Sequence, residues 1–547
     1  MADLLLGPLL RYVSETEATI WVETSEACEV EILGRRERTF GVEGHHYALV
    51  RIEDLEPGGF YEYEVALDGD RCWPPPDRDE PPSAIRTLGR DAPLDICFGS
   101  CRAAAPHTEP YILSRDQHPD GYELDALHVL ADQMTHSERD EWPELLFLLG
   151  DQVYVDEGSP ATRERIRERR DADPAPGEEV IDYEEYTWLY RESWEDPLIR
   201  WLFSTVSLSM VWDDHDMSDD WNISRAWHEE MEAKHWWHER AVAGIMSYWV
   251  YQHLGNLSPR ELDDNGLYQR VRGNPDATDE LRRWAKAIDS TAAGMRWSFC
   301  RDLGRTRAIF MDSRAGRVLT ESRRSIFNDE IWGWIVDHAS GDFDHLLIAT
   351  TVPYLLSPGF HHLEAWNERL CDGAWGPLVA RGSERLRRLA DFDHWAAFQF
   401  SFQRFRELLE EVGSGRRGAP PASIVVLSGD VHHAYLCDVA FKPGAGVRSR
   451  VVQAVCSPYR NPLAEHERKT IQAGFSDPFT VAARGLARAA GAPDPGIRWR
   501  LLEGPYFDNQ VATLRIDGRR ATMRLDKTVA GEEDERSLEK TFERRLV

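Results

Sequence analysis

The residues from Met210 to Trp221, MVWDDHDMSDDW, place five carboxylates around a single histidine, His215. A short apolar run with polar breaks, from Val206 to Trp212, leads directly into this cluster. Five acidic side chains between positions 213 and 220 repel one another strongly unless a cation lies among them. The segment therefore indicates a metal site.

Three further clusters of potential ligands follow apolar runs that we interpret as strands. They contain Cys101 in FGSC, Asp151 and Tyr154 in GDQVY, and Asp430, His432 and His433 in GDVHH. Each cluster alone has an ordinary structural explanation, such as a buried cysteine or a Gly-Asp turn. Four clusters of oxygen, nitrogen and sulfur donors, each at the carboxyl end of a predicted strand in one domain, favour a shared metal centre.

The elements that must position these residues have the order of an α/β domain. From Leu94 onward, apolar strands such as DHLLIATTVP and SIVVLSGDVHH end in polar clusters, and helical stretches separate them. Continuous apolar strands that alternate with helices predict sheets covered by helices, with ligands at the strand ends. We expect a catalytic domain over residues 91–547, with helical insertions at about 159–205, 221–301 and 361–412.

Residues 1–90 have a different pattern, with short strands and turn signals. Segments such as TIWVET and YALVRI are rich in β-forming residues, and glycines punctuate them. The segment Leu55 to Gly69 resembles the corner of fibronectin type III sandwiches, with Tyr61 as the corner tyrosine. We therefore predict a small N-terminal β-sandwich of the immunoglobulin or fibronectin III kind.

The composition restricts the classes of function. A chain of 547 residues with 42% apolar residues can bury a large core and is too long for one ordinary domain. Its 95 acidic and 64 basic residues give a net charge of −31, which disfavours a broad surface for nucleic acid or anionic membrane. Small anionic substrates remain compatible with this charge if bound cations offset it.

The cysteines and the N-terminus bear on the cellular compartment. The eight cysteines form no CxxC pair, which argues against a disulfide scaffold and a zinc ribbon. The N-terminal segment has no twin arginines and no basic leader, and no long apolar segment occurs in the sequence, so we expect no membrane span and a cytoplasmic protein. A secreted chain already trimmed of its signal would have the same sequence. The oligomeric state is not predicted.

Taken in order, FGSC, GDQVY, DDHD and GDVHH resemble the metallophosphoesterase superfamily, and within it the PhoD-like (alkaline phosphatase D) branch. The segments Asp312 to Arg314 and Asp393 to Phe398 are further shared marks, and the N-terminal sandwich is also common in that branch. The resemblance implies a four-layer αββα sandwich with helical insertions. It also implies a hydrolase that acts on phosphoric esters by attack of a metal-bound hydroxide.

The resemblance also assigns roles to the candidate metal ligands. Asp151 would bridge two ions, and Tyr154 with the Cys101 thiolate would favour Fe³⁺ at one position. Asp214 would bind the second ion, and Asp430 replaces a histidine that is usual in the superfamily. Hard oxygen ligands suit Ca²⁺, so Fe³⁺ with Ca²⁺ is expected, with Mn²⁺, Mg²⁺ and Zn²⁺ as alternatives. His432 matches a further ligand of the family.

Two residues are expected to act on the substrate itself. His215 would stabilise the transition state or donate a proton to the leaving group. Arg314 could clamp a phosphate oxygen, although a structural ion pair explains an arginine after a strand equally well. We expect Asp213 and Asp216 to orient that histidine or its loop.

Some positions depart from the family pattern, and some choices stay open. The segment Thr351 to Leu356 lacks a histidine that the superfamily often supplies, and the roles of Asp219, Asp220 and His433 are not assigned. The expected activity is hydrolysis of a small phosphate ester. A phosphodiesterase for nucleotides or lipid head groups and a catalytically silent scaffold protein are the alternatives.

Overall fold

The computed structural model describes residues 2–76, 78–291, 296–531 and 536–547. The N-terminal strands are β1 (Leu4–Val13), β2 (Ala18–Thr24), β3 (Glu29–Ile32), β4 (Arg35–Arg38), β5 (Phe40–Val42), β6 (His45–Ile52), β7 (Phe60–Glu62), β8 (Val65–Leu67), β9 (Asp70–Trp73) and β10 (Ala84–Arg86). One sheet has the order β1-β2-β6-β5, a second has the order β4-β3-β8-β9, and β7 pairs with β10. These strands form the predicted β-sandwich.

The core of the sandwich lies between its sheets. Ile20, Val30, Val50 and Trp73 pack there and are fully buried. The hydroxyl of Tyr61 accepts a hydrogen bond of 2.7 Å from the backbone N–H five positions earlier in the chain, as a corner tyrosine does. The resemblance of this segment to a sandwich corner therefore extends to its hydrogen bonding.

The remaining strands build two larger sheets. They are β11 (Leu94–Gly99), β12 (Leu145–Leu149), β13 (Ser207–Val211), β14 (Phe299–Leu303), β15 (Thr306–Met311), β16 (His345–Thr350), β17 (Ser423–Ser428), β18 (Ala434–Phe441), β19 (Arg450–Val455), β20 (Ile497–Tyr506), β21 (Gln510–Asp517), β22 (Arg520–Ala530) and β23 (Arg536–Arg545). The first sheet has the order β13-β12-β11-β21-β22-β23, and the second has the order β14-β15-β16-β17-β19-β18-β20. Strands β11 to β13 are parallel, as are β15, β16, β17 and β19.

The helices are α1 (Ala126–Thr135), α2 (Pro160–Arg169), α3 (Tyr183–Trp194), α4 (Pro197–Thr205), α5 (Arg225–Glu232), α6 (Trp237–Ser247), α7 (Leu254–Asn256), α8 (Pro259–Asp264), α9 (Gly266–Val271), α10 (Thr278–Thr291), α11 (Asp329–His338), α12 (Pro358–Cys371), α13 (Pro377–Leu389), α14 (Gln399–Ser414), α15 (Glu465–Gly474) and α16 (Asp477–Ala489). A π-helical segment, Tyr248–His253, joins α6 to α7. Short 3₁₀ helices cover Arg139–Glu141, Glu321–Arg323 and Trp395–Ala397. Helices fill each of the three predicted insertions.

The two large sheets pack face to face, and helices cover their outer faces. Phe98 and Phe147 of the first sheet share a fully buried core with Phe310 and Leu347 of the second. On the far side of the second sheet, Ile348 packs in a core with residues of α11 and α14. This confirms the predicted four-layer αββα arrangement with a preceding β-sandwich. Strands β10 and β11 lie on either side of the boundary predicted at residue 90.

Local sequence explains how the chain enters the acidic segment after β13. Helix α4 begins where Asp196 accepts hydrogen bonds of 3.0 and 3.1 Å from two backbone N–H groups of its first turn. Pro197 occupies the first helical position, which needs no hydrogen-bond donor. The helix leads into β13, whose five residues are all buried. The acidic residues that follow are thereby held at the end of a fixed strand.

Aromatic residues of the first and second insertions pack on the N-terminal sandwich. The hydroxyl of Tyr47 in β6 lies 3.0 Å from that of Tyr251 and 3.1 Å from that of Tyr183. Trp21 and Tyr251 have ring centroids 5.2 Å apart within the same buried cluster.

In the part of the chain that the structure describes, no helix is long and apolar enough to cross a membrane.

Candidate active site

The candidate residues converge where strands of both sheets end. Cys101 follows β11, Asp151 follows β12 and Asp214 follows β13, while Asp430 follows β17 of the facing sheet. In parallel strands the carboxyl ends meet at one edge, so side chains just beyond them can share a ligand. The structure therefore brings together donors from both halves of the αββα sandwich.

One group of donors surrounds Cys101. The Cys101 sulfur, an Asp151 carboxylate oxygen and a His432 ring nitrogen all lie within 4.8 Å of one another. The Tyr154 hydroxyl lies 3.5 Å from Asp151 Oδ2 and accepts a hydrogen bond of 3.3 Å from the Asn461 amide. Asn461 is a partner that the sequence analysis did not identify.

A second group joins Asp151 to the acidic segment. Ligand atoms of Asp151, Asp214 and His215 lie within 4.8 Å of one another, and so do those of Asp213, Asp214 and Asp430. Asp151 belongs to the first group as well, which is the position expected of a carboxylate that bridges two ions. All six predicted metal ligands therefore lie in one continuous cluster.

Burial makes this cluster electrostatically unfavourable without a cation. Burial raises the pKa of Asp151 well above its usual range, and neighbouring carboxylates add to that rise. Burial also raises the pKa of the Cys101 thiol and of the Asp214 carboxyl. By contrast, burial lowers the pKa of His432 to about 3, which keeps its imidazole neutral, as metal ligation requires.

An unpaired atom in this cluster shows that the residues fit a cation. Asp151 Oδ1 is buried and has no hydrogen-bond partner among the described residues. A buried carboxylate oxygen without a partner is strongly unfavourable unless a cation is bound to it. The surrounding thiol, phenol, imidazole and carboxylate groups are all metal-ligand types. The residues present therefore fit a site for two metal ions.

The backbone at the ligand positions is also unusual. Cys101, Asp151, Asp430 and His432 have φ values of 57°, 47°, 67° and 50°, in the left-handed region that favours glycine. Non-glycine residues in this region each cost roughly 1–3 kcal/mol and cluster at functional sites. These four residues follow three strands, β11, β12 and β17, and their backbone conformation directs candidate ligand side chains toward the common centre.

His215 is fixed by a carboxylate outside the acidic segment. Its Nδ1 lies 2.9 Å from Asp156 Oδ1, while its Nε2 lies 3.8 Å from an oxygen of Asp219. Burial lowers the pKa of His215, but the charge of Asp156 and nearby carboxylates outweigh it and hold the pKa well above its usual range. The other oxygen of Asp156 accepts a 2.6 Å hydrogen bond from the backbone N–H of Asp219.

Arg314 lies at the centre of the acidic residues and is almost fully buried. It donates hydrogen bonds to Asp213 and Asp393, and its Nη2 atom lies 3.2 Å from Asp214 and 3.0 Å from Asp430. This geometry favours the structural alternative, a buried ion-pair network, over a clamp on substrate. Its predicted contact with phosphate stays a prediction.

The neighbours of Asp430 include a histidine whose role the sequence analysis did not identify. His394 Nε2 lies 3.2 Å from Asp430 Oδ2, and its Nδ1 lies 2.8 Å from Glu364. Burial raises the pKa of Asp430, but contact with His394 and the charge of Arg314 outweigh it and hold the pKa below its usual range. His394 lies in the segment Asp393 to Phe398, which the sequence marks as shared with the family but to which no function was assigned.

The remaining acids of the opening segment support its loop. Asp216 accepts a 2.9 Å hydrogen bond from the backbone N–H of Asp213 and a 3.0 Å bond from the Gln252 amide. The backbone N–H of Asp220 donates a 3.2 Å hydrogen bond to Asp214. Of the two roles expected for Asp216, the structure shows it holding the loop, whereas the carboxylate that contacts His215 Nδ1 belongs to Asp156. His433 hydrogen-bonds the backbone of its own turn.

Residues 128–273 match a family model described as PhoD-like phosphatase. A solved structure described as "Structure of PhoD" superposes with a TM-score of 0.61 at 12% identity and covers 100% of this chain and 92% of that chain. At this identity the likeness shows the fold. The predicted resemblance to the PhoD-like family is confirmed.

The PhoD-like segment carries only part of the site. Asp151, Tyr154, Asp214 and His215 lie inside residues 128–273, whereas the other candidate residues lie outside them. Residues 1–85 match a family model described as a domain of unknown function, DUF7800. The facing sheet therefore contributes candidate ligands, Asp430 and His432, from beyond the matched segment.

Two further comparisons add little to this PhoD-like assignment. Purple acid phosphatase PPD1 from yellow lupin (Lupinus luteus) seeds gives a TM-score of 0.47 at 11% identity and covers 95% of this chain and 71% of that chain. No curated protein matches the sequence of this chain.

Proposed function

We propose that this chain is a metal-dependent phosphoesterase that hydrolyses small phosphate esters. The observation that carries the proposal is the convergence of donors from both sheets on Asp151, a buried carboxylate with an unpaired oxygen. The match of residues 128–273 to a phosphatase family supports the same reaction class.

The donor groups divide into two sets around Asp151. Cys101, Tyr154 and His432 would hold one ion with it, and a thiolate with a phenolate favours Fe³⁺ there. Asp214 and Asp430 would hold the second, and carboxylate oxygens favour Ca²⁺, with Mn²⁺, Mg²⁺ or Zn²⁺ as alternatives. When bound, such a pair of ions lowers the pKa of water and offsets charge on the phosphate oxygens.

His215 would supply the proton that the leaving group needs. Asp156 engages its Nδ1, so Nε2 is the nitrogen directed to other partners. As the oxygen of water bonds to phosphorus, the bond from phosphorus to the leaving oxygen breaks, and the Nε2 proton passes to that oxygen. Asp156 acts through His215 and is a positioning residue.

Arg314 would act by positioning acids and not by touching the substrate. Its guanidinium contacts Asp214 and Asp430, two of the proposed ligands, while Asp213 and Asp393 engage its other N–H groups. A planar guanidinium can fix several carboxylates at once because its donors have a rigid geometry. We therefore assign it the role of holding the carboxylates of the second ion in place.

A cavity beside His215 has room for a bulky monoester or for the diester of the phosphodiesterase alternative. Its volume is about 710 Å³, and α5 and α13 of the helical insertions contribute to its walls. A phosphate group alone needs far less space, so the site has room for a large leaving group or for a second ester arm. The cavity therefore supports a substrate larger than a simple monoester.

The proposal is tested by metal analysis of the purified full chain, followed by hydrolysis of p-nitrophenyl phosphate and bis-p-nitrophenyl phosphate. We expect bound metal and turnover that stops on addition of chelator and returns with metal. Faster turnover of the diester would favour the phosphodiesterase. Bound metal without turnover of either ester would support the silent scaffold protein, and absence of both metal and turnover would overturn the proposal.

A further inference from the structure

The cavity beside His215 is lined by side chains of both charges. Its acidic lining residues are Asp156, Glu157, Glu179, Asp219 and Asp220. The helical insertions around α5 and α13 supply the basic wall of the cavity, which includes Lys234, Arg385, Arg388 and Leu389. A substrate held by its phosphate at the ligand cluster would extend its leaving group toward these basic side chains.

The wall formed by the insertions is held in place by contacts between helices. Ser224 at the start of α5 donates a hydrogen bond to Glu384 of α13. Arg388 of α13 lies 2.9 Å from Glu230 of α5, which ties the two helices a second time. The basic side chains are thus attached to a scaffold that is fixed relative to the site.

The floor of the cavity between the two charged sides is apolar. Trp227, Met231 and Trp236 line it and are each less than one-tenth exposed. Large aromatic side chains and methionine provide contact area for an apolar or ring-shaped group. The cavity therefore fits a group that is apolar near the ester and charged farther away.

Three basic side chains are grouped on the basic wall, although the cavity lining as a whole contains more acids than bases. Glu230 lies 2.9 Å from Arg388 and 3.6 Å from Lys234, so two cations share one carboxylate. Arg385 is exposed and forms no ion pair or hydrogen bond with any residue in the described ranges. In a chain of net charge −31, three cations grouped on one part of the cavity lining favour an anionic group at that part.

We propose that this cavity binds the leaving group of the substrate and that Arg385, with Lys234 and Arg388, recognises a second negative charge on it. The inference rests on the proposed phosphoesterase activity and adds a substrate class to it. The class is a phosphate ester whose leaving group is apolar near the ester and carries a carboxylate or phosphate at its far end. The acidic wall beside His215 disfavours the opposite orientation.

A matched pair of substrates tests this selectivity. One is an aryl phosphate with a para-propanoate arm, and the other is its propanamide counterpart, which differs in charge and hardly in size. Two methylenes insulate the ring from the charged group, so the two leaving groups have similar intrinsic reactivity. Each is used as the monoester and as the methyl diester, with the metal-loaded full chain.

We expect the wild-type chain to have kcat/KM about 5–10-fold higher for the carboxylate than for the amide, as a partly exposed charge contact allows. In Arg385→Ala this ratio should fall toward one, and Arg385→Lys should recover part of it. Arg381→Ala is the matched control, because Arg381 is exposed on the same helix but does not line the cavity. Its ratio should stay at the wild-type value.

The other outcomes overturn the inference in distinguishable ways. Equal turnover of both substrates by the wild-type chain would overturn the charge recognition and leave the phosphoesterase activity standing. An equal fall of the ratio in Arg381→Ala and Arg385→Ala would show an effect of net charge and not of this wall. Failure to hydrolyse any of the esters, with metal bound, would overturn the proposed function and the inference with it.

Discussion

Asp156 Oδ1 lies 2.9 Å from the Nδ1 of His215, and this contact leaves Nε2 as the ring nitrogen that can meet the substrate. The same carboxylate accepts a hydrogen bond from the backbone of Asp219 and so ties the histidine to its own loop. A carboxylate in this position sets the ring orientation and the tautomer of a catalytic histidine. Two predictions depend on this contact.

Asp156→Asn should lower kcat by about 10–100-fold with little change in metal content, as loss of an orienting partner does at comparable sites. The loss should grow as the leaving group becomes more basic, because such a group depends most on the proton from His215. The measurement is kcat for a series of aryl phosphates of increasing phenol pKa. Glu164→Gln, which alters an exposed acid on α2, is the control. A loss of kcat that is the same for all the aryl phosphates and is accompanied by reduced metal content would contradict the positioning role.

His215→Ala should lower kcat by about 10²–10⁴-fold with metal retained, since it removes the proposed proton donor. Asp156 acts only through this histidine, so the double variant should be no slower than His215→Ala alone. A double-mutant cycle on kcat measures this coupling. If the two losses multiply, Asp156 has a function independent of His215, and the proposed division of roles is wrong.

The convergence of the candidate ligand residues was predictable from sequence because each lies within a few residues of the end of an apolar strand. Cys101, Asp151 and Asp214 needed only the identification of their strands, since parallel strands end at a common edge. The contact between His394 and Asp430 was not predictable, because a helical insertion and a loop bring these residues together. Pairs of this kind depend on tertiary packing and leave no local pattern.

The strands at the C-terminus were also not predictable from local sequence. Strands that end in polar clusters could be predicted, whereas β21 to β23, which complete the first sheet, were not. β22 alternates exposed and buried residues over much of its length, a pattern of period two that charged residues partly conceal in the sequence. Strand β21 pairs antiparallel with β11, a contact that spans most of the chain.

Asp151→Asn should abolish the stabilisation of the protein by metal. Metal at about 100 times its Kd stabilises a protein by about 2.7 kcal/mol, and this gain should be lost in the variant. Without metal the variant should be at least as stable as the wild type, because it removes a buried, unpaired carboxylate. Thermal unfolding with and without metal measures both effects, with the exposed Asp116→Asn as control. If metal raised the unfolding temperature of the variant as much as that of the wild type, the bridging role of Asp151 would be contradicted.

Arg314→Met should destabilise the protein by about 3–5 kcal/mol, since it leaves several buried carboxylates without their partner. Arg416→Met is the control, because its ion pair with Glu410 is at the surface and is worth at most about 1 kcal/mol. Urea unfolding measures the difference. If the variant kept its stability and instead showed a raised KM, Arg314 would be a clamp on the substrate.

The interface between the N-terminal sandwich and α3 should weaken at alkaline pH. His45 lies 2.7 Å from Glu184 and 3.2 Å from Glu23. Burial lowers the pKa of His45, but hydrogen bonds with these carboxylates outweigh it and raise the pKa from 6.5 to about 9. Because the folded-state pKa exceeds the unfolded value, the stabilisation is fully present below pH 6.5 and is lost as pH rises through about 9.

His45→Gln should therefore lower the free energy of unfolding by about 2 kcal/mol at pH 6 and by much less at pH 9.5. Urea midpoints of variant and wild type, compared at fixed metal loading across this range, measure the difference. His46→Gln is the control, because burial lowers the pKa of His46 and its contribution has the opposite sign. A difference between His45→Gln and wild type that stays constant from pH 6 to 9.5 would show that the imidazole stabilises this interface by packing and not by charge.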